Sequence, residues 1–452
     1  MSQVDRAVWA RGMLRLSFLI PFLCSGCSVQ GPVNQVKDTS YSVVISLDSS
    51  LSRFSIVATI RTSDWDPKGG LVVLMSPGAE IDSISRLDGT TRHPIEWRAG
   101  GGDSLVLVSL ERVPMSETSD AITLEFAYRL ICDTMATGDI MLRREDRWYP
   151  VLPNVAFQFQ IGVFAPERYR SFSCGRFQPA DREMGLDYET WNMEQLTYVM
   201  PLLFIDTSDV ATHSSDDAGF QVDFYVHEAP DSTASAIVDQ CVMALRYYSQ
   251  VFGPYPFGDF VLIEVPEFQA VQSLPGLMIV GGWAPKYFWH SGFGDWPAHE
   301  VAHQWVGNVL LTNTLSVPPG RLFIEESLAE CVRVEFIRSE FGEDSANAVL
   351  ESYQQELNEK VPDVSDRSLY HLEFGTQADF KMAYRHGPLM WQRIRDDLGR
   401  DQWANLLKRI AVENWNQPFS YQDLREALSG VRPDGSATTL MDSLVGYEAR
   451  ED

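Results

Sequence analysis

The pattern of apolar residues changes once along the chain, near residue 228, and this change limits the possible folds most strongly. Before it, short segments rich in Val, Ile and Phe alternate with clusters of Gly, Pro, Asp and Ser, as in antiparallel sheet. After it, apolar residues recur at helical spacing, first over 231–253. The sequence predicts an α+β multidomain chain: an N-terminal antiparallel β-domain over 41–228 and a mainly helical domain over 229–452.

Eight segments carry the β-type pattern. They begin at Tyr41, Phe54, Gly70, Asp103, Ala121, Phe157, Leu196 and Phe220. Further helices are predicted over 344–357, 379–398, 402–411 and 421–428 from the spacing of their apolar residues.

Residues 1–27 have the pattern of a signal peptide. Three arginines precede the apolar run Leu16–Leu23, which is much shorter than the roughly 20 residues of a membrane span. The CSGC stretch that follows resembles a bacterial lipobox, so we expect Cys27 to become the lipidated first residue. Simple secretion is the alternative, because Cys24 stands where Leu is usual. Residues 28–40 read as a polar tether, and we expect a lipid-anchored protein of the cell envelope, periplasmic or on the outer face of a bacterial membrane.

The charge of the chain excludes some partners. Its 62 acidic and 36 basic residues give a formal net charge of −26. Such a chain repels nucleic acid and anionic membrane surfaces, so we expect neither a nucleic-acid partner nor docking to anionic lipid.

The stretch HEVAHQW, His299–Trp305, has the pattern of a zinc site. Residues i and i+4 of a helix lie on one face, so His299 and His303 can bind the same ion. A catalytic zinc takes three protein ligands and leaves one position for water. Glu300 is then free to act as a general base on that water.

The third ligand is expected from the acidic, apolar stretch Phe323–Phe336. It contains three glutamates near its start, and spacing alone leaves all three open: Glu325, Glu326 and Glu330. The site is predicted to bind one Zn²⁺.

The motif extends into a family resemblance. HEVAHQWVGN resembles the HExxHxWxGN stretch of the gluzincin aminopeptidases, the family of membrane alanyl aminopeptidase and leukotriene hydrolase, and FIEESLA stands where they carry WLNEGFA. The segment RWYPVLPN resembles their WYP segment. The resemblance implies a saddle-like N-terminal β-domain and a thermolysin-like catalytic domain. It also implies His299, His303 and Glu326 as zinc ligands and Glu300 as the general base.

The spacing within this match differs from the usual one. Twenty-two residues separate His303 from Glu326, more than the family usually has, which predicts a longer loop around Thr312 to Gly320.

A tyrosine completes the implied machinery. AYRHGPLMWQ resembles the YxKG stretch of the family, which implies that Tyr384 stabilises the oxyanion. His386 stands where Lys is usual. Without the resemblance, a tyrosine on an amphipathic helix is more often a packing residue.

The segment AVQSLPGLMIV is where the resemblance weakens. The family binds the free amine of its substrate with a Glu in a GxMEN segment, and Ser273 stands at that position. A neutral hydroxyl is a weaker partner for an ammonium than a carboxylate is. Glu264, Glu267 or Glu325 are the candidate replacements. Gly276 and the run after it are expected to form an edge strand that pairs with a peptide backbone.

The cysteines allow a disulfide. Cys132 and Cys174 can pair in an oxidising compartment, with two buried thiols as the alternative. Cys331 is expected in the core.

Together these features predict a zinc metallopeptidase that acts on peptides, is aminopeptidase-like, and is held at a membrane by its lipid anchor. Loss of the amine-binding Glu leaves an endopeptidase as an alternative. A second alternative is an envelope lipoprotein that uses the peptidase fold as a non-catalytic binding module. Retention of both Glu300 and Tyr384 favours the enzyme, because a site that only binds zinc needs the ligands alone.

Overall fold

The structure is a computed structural model that describes residues 39–448 except 49–52, 64–70, 101–105, 111–120, 132–133, 180–187, 218, 290–294, 313–317, 359–367 and 374. The predicted signal peptide, its Cys27 and nearly all of the tether lie outside the described residues. So does Cys132, and its pairing with the buried Cys174 therefore stays a prediction. Within the described ranges, no helix has both the length and the apolar character that a membrane span requires.

The described residues of the N-terminal part form fourteen strands in three sheets. Their bounds are β1 Ser40–Leu47, β2 Arg53–Thr62, β3 Leu71–Met75, β4 Ala79–Asp88, β5 Thr91–Pro94, β6 Trp97–Gly100, β7 Val106–Leu110, β8 Ile122–Ile131, β9 Ile140–Leu142, β10 Phe157–Phe164, β11 Tyr169–Phe172, β12 Arg176–Gln178, β13 Glu189–Thr197 and β14 Leu202–Asp206. The main sheet has eight strands in the order β12-β13-β10-β1-β2-β8-β4-β5, and two three-stranded sheets, β11-β14-β9 and β3-β7-β6, accompany it.

Alternation of apolar and polar residues gives the main sheet one buried and one exposed face. In β1, Tyr41, Val43 and Ile45 are buried while Val44 faces outward. All pairings of this sheet are antiparallel except β1 with β10, which is parallel. The predicted β-domain is therefore confirmed, with one parallel pair that alternation could not reveal.

The sheets divide earlier than the predicted boundary near residue 228. Strands β15 (Ala211–Asp217) and β16 (Phe220–Val226) pair with each other, and β16 pairs in parallel with β17 (Phe260–Val265). With β18 (Val271–Leu274) and β19 (Leu277–Gly281) they form a sheet in the order β15-β16-β17-β19-β18. The segment beginning at Phe220, predicted as part of the β-domain, thus belongs to the sheet of the second part.

The second part is mainly helical, as predicted. Its helices are α1 Asp231–Phe252, α2 Ala284–Tyr287, α3 Asp295–Ala302, α4 Leu328–Phe341, α5 Glu343–Asn358, α6 Gln377–Lys381, α7 Gly387–Leu398, α8 Arg400–Glu413, α9 Tyr421–Val431 and α10 Ser436–Val445. Three very short parallel strands complete it: β20 Val306–Gly307, β21 Leu310–Leu311 and β22 Gln417–Pro418. The five helices predicted from spacing are present, the one over 379–398 as α6, a π-helical turn and α7, whereas α2 and α10 were not predicted. The predicted fold class is confirmed.

Direct contacts join the two parts. The side chain of Asn416 exchanges two hydrogen bonds with the main chain of Leu196, at 2.7 and 2.9 Å. On another side, His227 Nε2 lies 2.7 Å from Asp139 Oδ2, and both side chains are buried. These contacts connect the β-domain to the helical part at two places.

Candidate metal centre

The HEVAHQW motif begins on helix α3 and continues into the turn that follows. The His303 amide still donates to the His299 carbonyl, at 3.4 Å, so the helical phase of both histidines is kept. Val301 and Trp305 are fully buried on the other side of this segment. Tyr248 of α1 donates to the carbonyl of Ala298 at 3.0 Å and fixes the helix from behind. The imidazoles therefore project from a backbone that cannot easily shift.

Three ligand-type atoms converge at this point. His299 Nε2 and His303 Nε2 are 3.0 Å apart. Glu326 Oε2 lies 3.5 Å from the first and 3.4 Å from the second. Tetrahedral ligands bound to zinc at about 2.0–2.1 Å are about 3.3 Å from one another. Among the described residues, these three side chains are the one group of His, Cys, Asp and Glu arranged to hold a metal ion.

The partners of the other ring nitrogens show that the donor set fits a cation. His299 Nδ1 lies 2.8 Å from Glu330 Oε2, and His303 Nδ1 lies 3.0 Å from the carbonyl oxygen of Val306. Both acceptors are met by an Nδ1–H, so the two Nε2 atoms face each other and, once free of a proton, offer their lone pairs to an ion. Glu326 Oε2 is buried and makes no hydrogen bond there. Three electron-pair donors thus face one point, as a zinc ion requires.

Glu330, one of the three glutamates that spacing left open, lies behind His299 rather than beside the metal position. Arg333 donates to it twice, at 3.0 and 2.8 Å, and the Tyr353 hydroxyl also donates to it. Although burial opposes its ionisation, the charge of Arg333 holds the pKa of Glu330 well below its usual range. Glu330 therefore orients the His299 ring and fixes its tautomer.

Glu325, the third of these glutamates, also points away from the metal position. Its Oε2 accepts from Arg321 Nε at 2.6 Å and from the Thr312 hydroxyl at 3.1 Å, and the side chain is buried. A carboxylate held by these donors is not available to a substrate amine. The predicted substrate-binding role of Glu325 has no support in this geometry.

Glu326 and Tyr384 both lie on π-helical turns, Phe323–Ser327 and Met382–His386. Such turns are frequent at functional sites because the extra residue changes the direction of a side chain. The Ser327 hydroxyl joins the two turns by donating to the Ala383 carbonyl at 2.7 Å. Gly387 permits this approach, because a Cβ there would lie 2.0 Å from Ser327 Oγ.

The Tyr384 ring lies beside the metal position. Its centroid is 5.5 Å from that of His299, and Phe380 stacks on it at 4.4 Å. Burial raises the pKa of Tyr384 well above its usual value, and the charge of Glu326, which the hydroxyl also hydrogen-bonds, raises it further. The hydroxyl is therefore protonated at neutral pH and able to donate.

The charges around the centre favour a bound cation. Burial lowers the pKa of His299, but the neighbouring carboxylates of Glu326 and Glu330 outweigh it and raise the pKa to about 10, so a cation at this point would take the place of a proton. Burial raises the pKa of Glu300 to about 7, against the opposing effect of the two histidines. A carboxyl group with a pKa near neutrality is suited to taking up and releasing a proton.

Ser273, at the position predicted for substrate-amine binding, instead contacts the motif helix. Its hydroxyl donates to the main-chain carbonyl of Glu300 at 2.7 Å and accepts from Gln304 Nε2 at 2.7 Å. Gln304 also donates to the Leu274 carbonyl and accepts from the Gly276 amide, each at 2.9 Å. Ser273 and Gln304 thus fasten the β18–β19 turn to the helix.

The edge strand is not the one predicted from Gly276. The run after Gly276 is β19, which is paired on both sides, with β17 and β18. The edge of the sheet is β18, before the glycine. Gly276 itself has φ +72° in the tight β18–β19 turn, a conformation that favours glycine.

The other candidate replacements for the amine-binding Glu are also engaged. Glu264 is fully buried in β17, and its Oε2 accepts from the amides of residues 227–229 at 2.9, 2.8 and 3.1 Å. Glu267 is exposed and accepts from the Thr137 amide at 3.3 Å.

No role was predicted from the sequence for two residues that the structure singles out, Gln304 and Arg144. Gln304 lies inside the motif, between His303 and Trp305, and its polar character beside the apolar residues of the motif was the one signal for its role. Arg144 lies within electrostatic reach of Arg321, and no sequence pattern indicated it.

The chain was compared with protein-family models, with curated protein sequences and with solved structures. No protein-family model matches the chain, and no curated protein matches it in sequence. The M1 zinc metallopeptidase from Deinococcus radiodurans is similar in structure, with a TM-score of 0.67 and 15% identity over 92% of this chain and 95% of that one. A mutant of that enzyme bound to a Tyr-Ser-Ala substrate gives the same values.

Native yeast LTA4 hydrolase is also similar, with a TM-score of 0.70 and 13% identity over 94% of this chain and 71% of the hydrolase. At these identities the likenesses show the fold, which is that of the two-domain M1 peptidases.

Proposed function

We propose that this protein is a zinc-dependent metallopeptidase. The observation that carries the proposal is the convergence of His299, His303 and Glu326, with Glu300 and Tyr384 beside them. The fold shared with zinc peptidases supports it. A binding module would need the three ligands but neither the Glu300 carboxyl group nor the Tyr384 hydroxyl next to them.

The roles of the side chains follow from their positions. Zinc held by His299, His303 and Glu326 would activate a water and polarise the scissile carbonyl. Glu300 takes a proton from the attacking water and passes it to the leaving amine. The Tyr384 hydroxyl donates a hydrogen bond to the oxyanion, a contribution that typically lowers the barrier by about 3 kcal/mol.

Aminopeptidase-like activity is the first expectation within this class, and an endopeptidase is the second. The second is favoured by one observation: the Ser273 hydroxyl is engaged by Glu300 and Gln304, and Glu325 by Arg321. Neither side chain is available to select a free amine. A cleft without that selection would accept a peptide bond far from the N-terminus.

Digestion of paired peptides tests these proposals. The peptides are identical except for a free or acetylated N-terminus, and the protein is zinc-loaded and lacks its leader. Cleavage of the free peptide alone means an aminopeptidase, and cleavage of both means an endopeptidase. The Glu300→Gln variant is the control, with an expected loss of about 10²–10⁴-fold in rate at unchanged zinc content. Equal rates in protein and control would refute the metallopeptidase.

We also propose the envelope location that residues 1–27 predict. Expression of the full chain and of a Cys27→Ser variant in a bacterial host, followed by membrane fractionation, tests the lipid anchor. Recovery of both chains in the soluble fraction would mean simple secretion.

A further inference from the structure

Arg144 is a buried cation without a partner among the described residues. It belongs to the short 3₁₀ turn Arg144–Asp146, and its side chain is 7% exposed. No hydrogen bond or ion pair joins its side chain to any other residue that the structure describes, and its Nε is buried and unpaired. The adjacent Glu145 is exposed and does not pair with it. Buried charges in proteins are normally paired and hydrogen-bonded, so this guanidinium needs an explanation.

The surroundings of Arg144 make its charge more costly. Burial lowers the pKa of Arg144, and although Tyr149 and Glu145 oppose this, the positive charge of the nearby Arg321 lowers it further. Arg321 does not offer its own Nε–H, because that group donates to Glu325 at 2.6 Å. An arginine remains protonated in proteins, so the pair creates a positive potential that a bound anion would relieve.

The position of the turn links this potential to the proposed active site. Arg143, the residue before the turn, places its guanidinium 5.7 Å from the centre of the Phe268 ring, and Phe268 leads into the edge strand β18. On the other side, Arg321 lies in the electrostatic range of Glu326. The turn therefore stands between the edge strand and the helix that carries the metal-binding glutamate.

The chemistry of the group selects the kind of anion. A guanidinium presents parallel N–H donors in a fixed plane that match the two oxygens of a carboxylate. Peptides offer carboxylates in two places, at the C-terminus and on Asp or Glu side chains. No carboxylate of the described residues forms a hydrogen bond or ion pair with the Arg144 side chain, and the adjacent Glu145 acts on it only through its charge. A carboxylate that pairs with this guanidinium would therefore come from a bound ligand.

We propose that Arg144 binds a carboxylate of the peptide substrate, either its C-terminal carboxylate or an acidic side chain, and that Arg321 reinforces the site by its charge. This inference rests on the proposed peptidase function and adds a substrate class to it: short peptides that end at the site, or longer ones with an acidic residue there.

Binding and kinetics on a matched peptide series test the proposal. The series contains a short neutral peptide with a free C-terminal carboxylate, its C-terminal amide, and the amide with one Glu introduced at each position in turn. KM is measured for the zinc-loaded protein, and affinity by calorimetry on the Glu300→Gln variant, which binds without cutting. The free acid or one of the Glu peptides is expected to bind roughly tenfold or more tightly than the neutral amide.

Arginine variants supply the controls. Arg144→Met is expected to remove the preference for the carboxylate while leaving the affinity for the neutral amide unchanged. Arg144→Lys keeps the charge without the two-pronged geometry and is expected to retain part of it. Arg86→Met removes an arginine of β4 that pairs with Asp88, far along the chain from the site, and is expected to change neither affinity.

The outcomes separate this inference from the proposed function. Equal affinity of the unaltered protein for the acid, the amide and the Glu peptides overturns the carboxylate site. An undiminished preference for the carboxylate in correctly folded Arg144→Met also overturns it. So does the finding that none of the peptides binds. A carboxylate preference that depends on Arg144, in a protein that cleaves none of the peptides, would uphold the site and overturn the peptidase.

Discussion

Ser273 donates its hydroxyl hydrogen to the main-chain oxygen of Glu300 across 2.7 Å, which ties the edge-strand hairpin to the residue proposed as the general base. The same hydroxyl accepts from Gln304, so the hairpin and the motif helix form one hydrogen-bonded unit. The distance from the edge strand to the proposed base is therefore fixed before a peptide arrives, which is the preorganisation that catalysis requires.

Substitution of Gln304 is expected to destabilise the protein. Gln304→Leu leaves the Gly276 amide and the Leu274 carbonyl without partners in a buried region, and each unpaired group costs about 1–3 kcal/mol. We expect the free energy of unfolding to fall by roughly 2–5 kcal/mol in chemical denaturation. Gln422→Leu, which removes an exposed contact with Glu426, is the control and should have little effect. Equal stabilities of the two variants would contradict the role of Gln304.

Substitution of Glu330 is expected to weaken zinc binding without removing a ligand. Glu330→Ala leaves His299 Nδ1 without its acceptor, and loss of such a partner typically lowers metal affinity about 10–100-fold. Competition with a chelator measures the change. Glu335→Ala on the same helix, whose carboxylate pairs with Arg338 and Arg395, is the matched control. An affinity unchanged in Glu330→Ala would mean that the ring is oriented by other contacts.

Removal of the Tyr384 hydroxyl is expected to slow turnover selectively. Tyr384→Phe keeps the stacking on Phe380 but removes the donor to the oxyanion. We expect kcat to fall by about 10²–10³-fold, with KM little changed because the hydrogen bond strengthens in the transition state. Steady-state kinetics on a cleaved peptide give both values. A rise in KM at constant kcat would instead assign Tyr384 to substrate binding.

The contact between His227 and Asp139 is expected to make stability depend on pH. The Asp139 carboxylate raises the pKa of His227 above its ordinary value of 6.5. A histidine with a raised folded-state pKa contributes stability that is fully present below pH 6.5 and is lost as the pH rises through the folded-state pKa. The difference in unfolding free energy between the protein and His227→Gln should therefore shrink from about pH 6 to about pH 9.

Denaturant titrations at both pH values measure this difference. Asp139→Asn, which removes the partner carboxylate, should abolish most of the pH dependence of the difference. A difference that grows with pH would mean that the neutral ring is the better-bound form.

The sequence predicted those features that depend on local periodicity. Alternation identified the strands, and helical spacing identified α1 and the segment 379–398, which the structure divides into the end of α6, the π-helical turn with Tyr384, and α7. Alternation determines which face of a strand is buried but not which strand lies beside it. For this reason the strand at Phe220 was assigned to the wrong sheet, and the edge strand was placed after Gly276 instead of before it.

The candidate site was predictable up to the choice among neighbouring carboxylates. Glu325 and Glu326 are about 100° apart around a helix, and only the orientation of that helix decides which one faces the histidines. Glu330 is one turn further and meets His299 from the other side of the ring. No sequence pattern indicated that the Arg144 side chain lacks a partner, because this depends on which side chains lie around it in the fold.

The number of residues in the two π-helical turns determines the direction of side chains both in the core and at the metal position. A turn of this kind accommodates one residue more than an α-helical turn, so Glu326 and Tyr384 keep their directions only while the residue count of each turn is kept. A single-residue deletion within either turn would restore regular α-helix and rotate the following side chains by about 100°. The contact of Trp391 with Phe323, whose ring centres are 4.6 Å apart, would then be disrupted together with the positions of Glu326 and Tyr384. These segments should tolerate substitutions far better than changes in length.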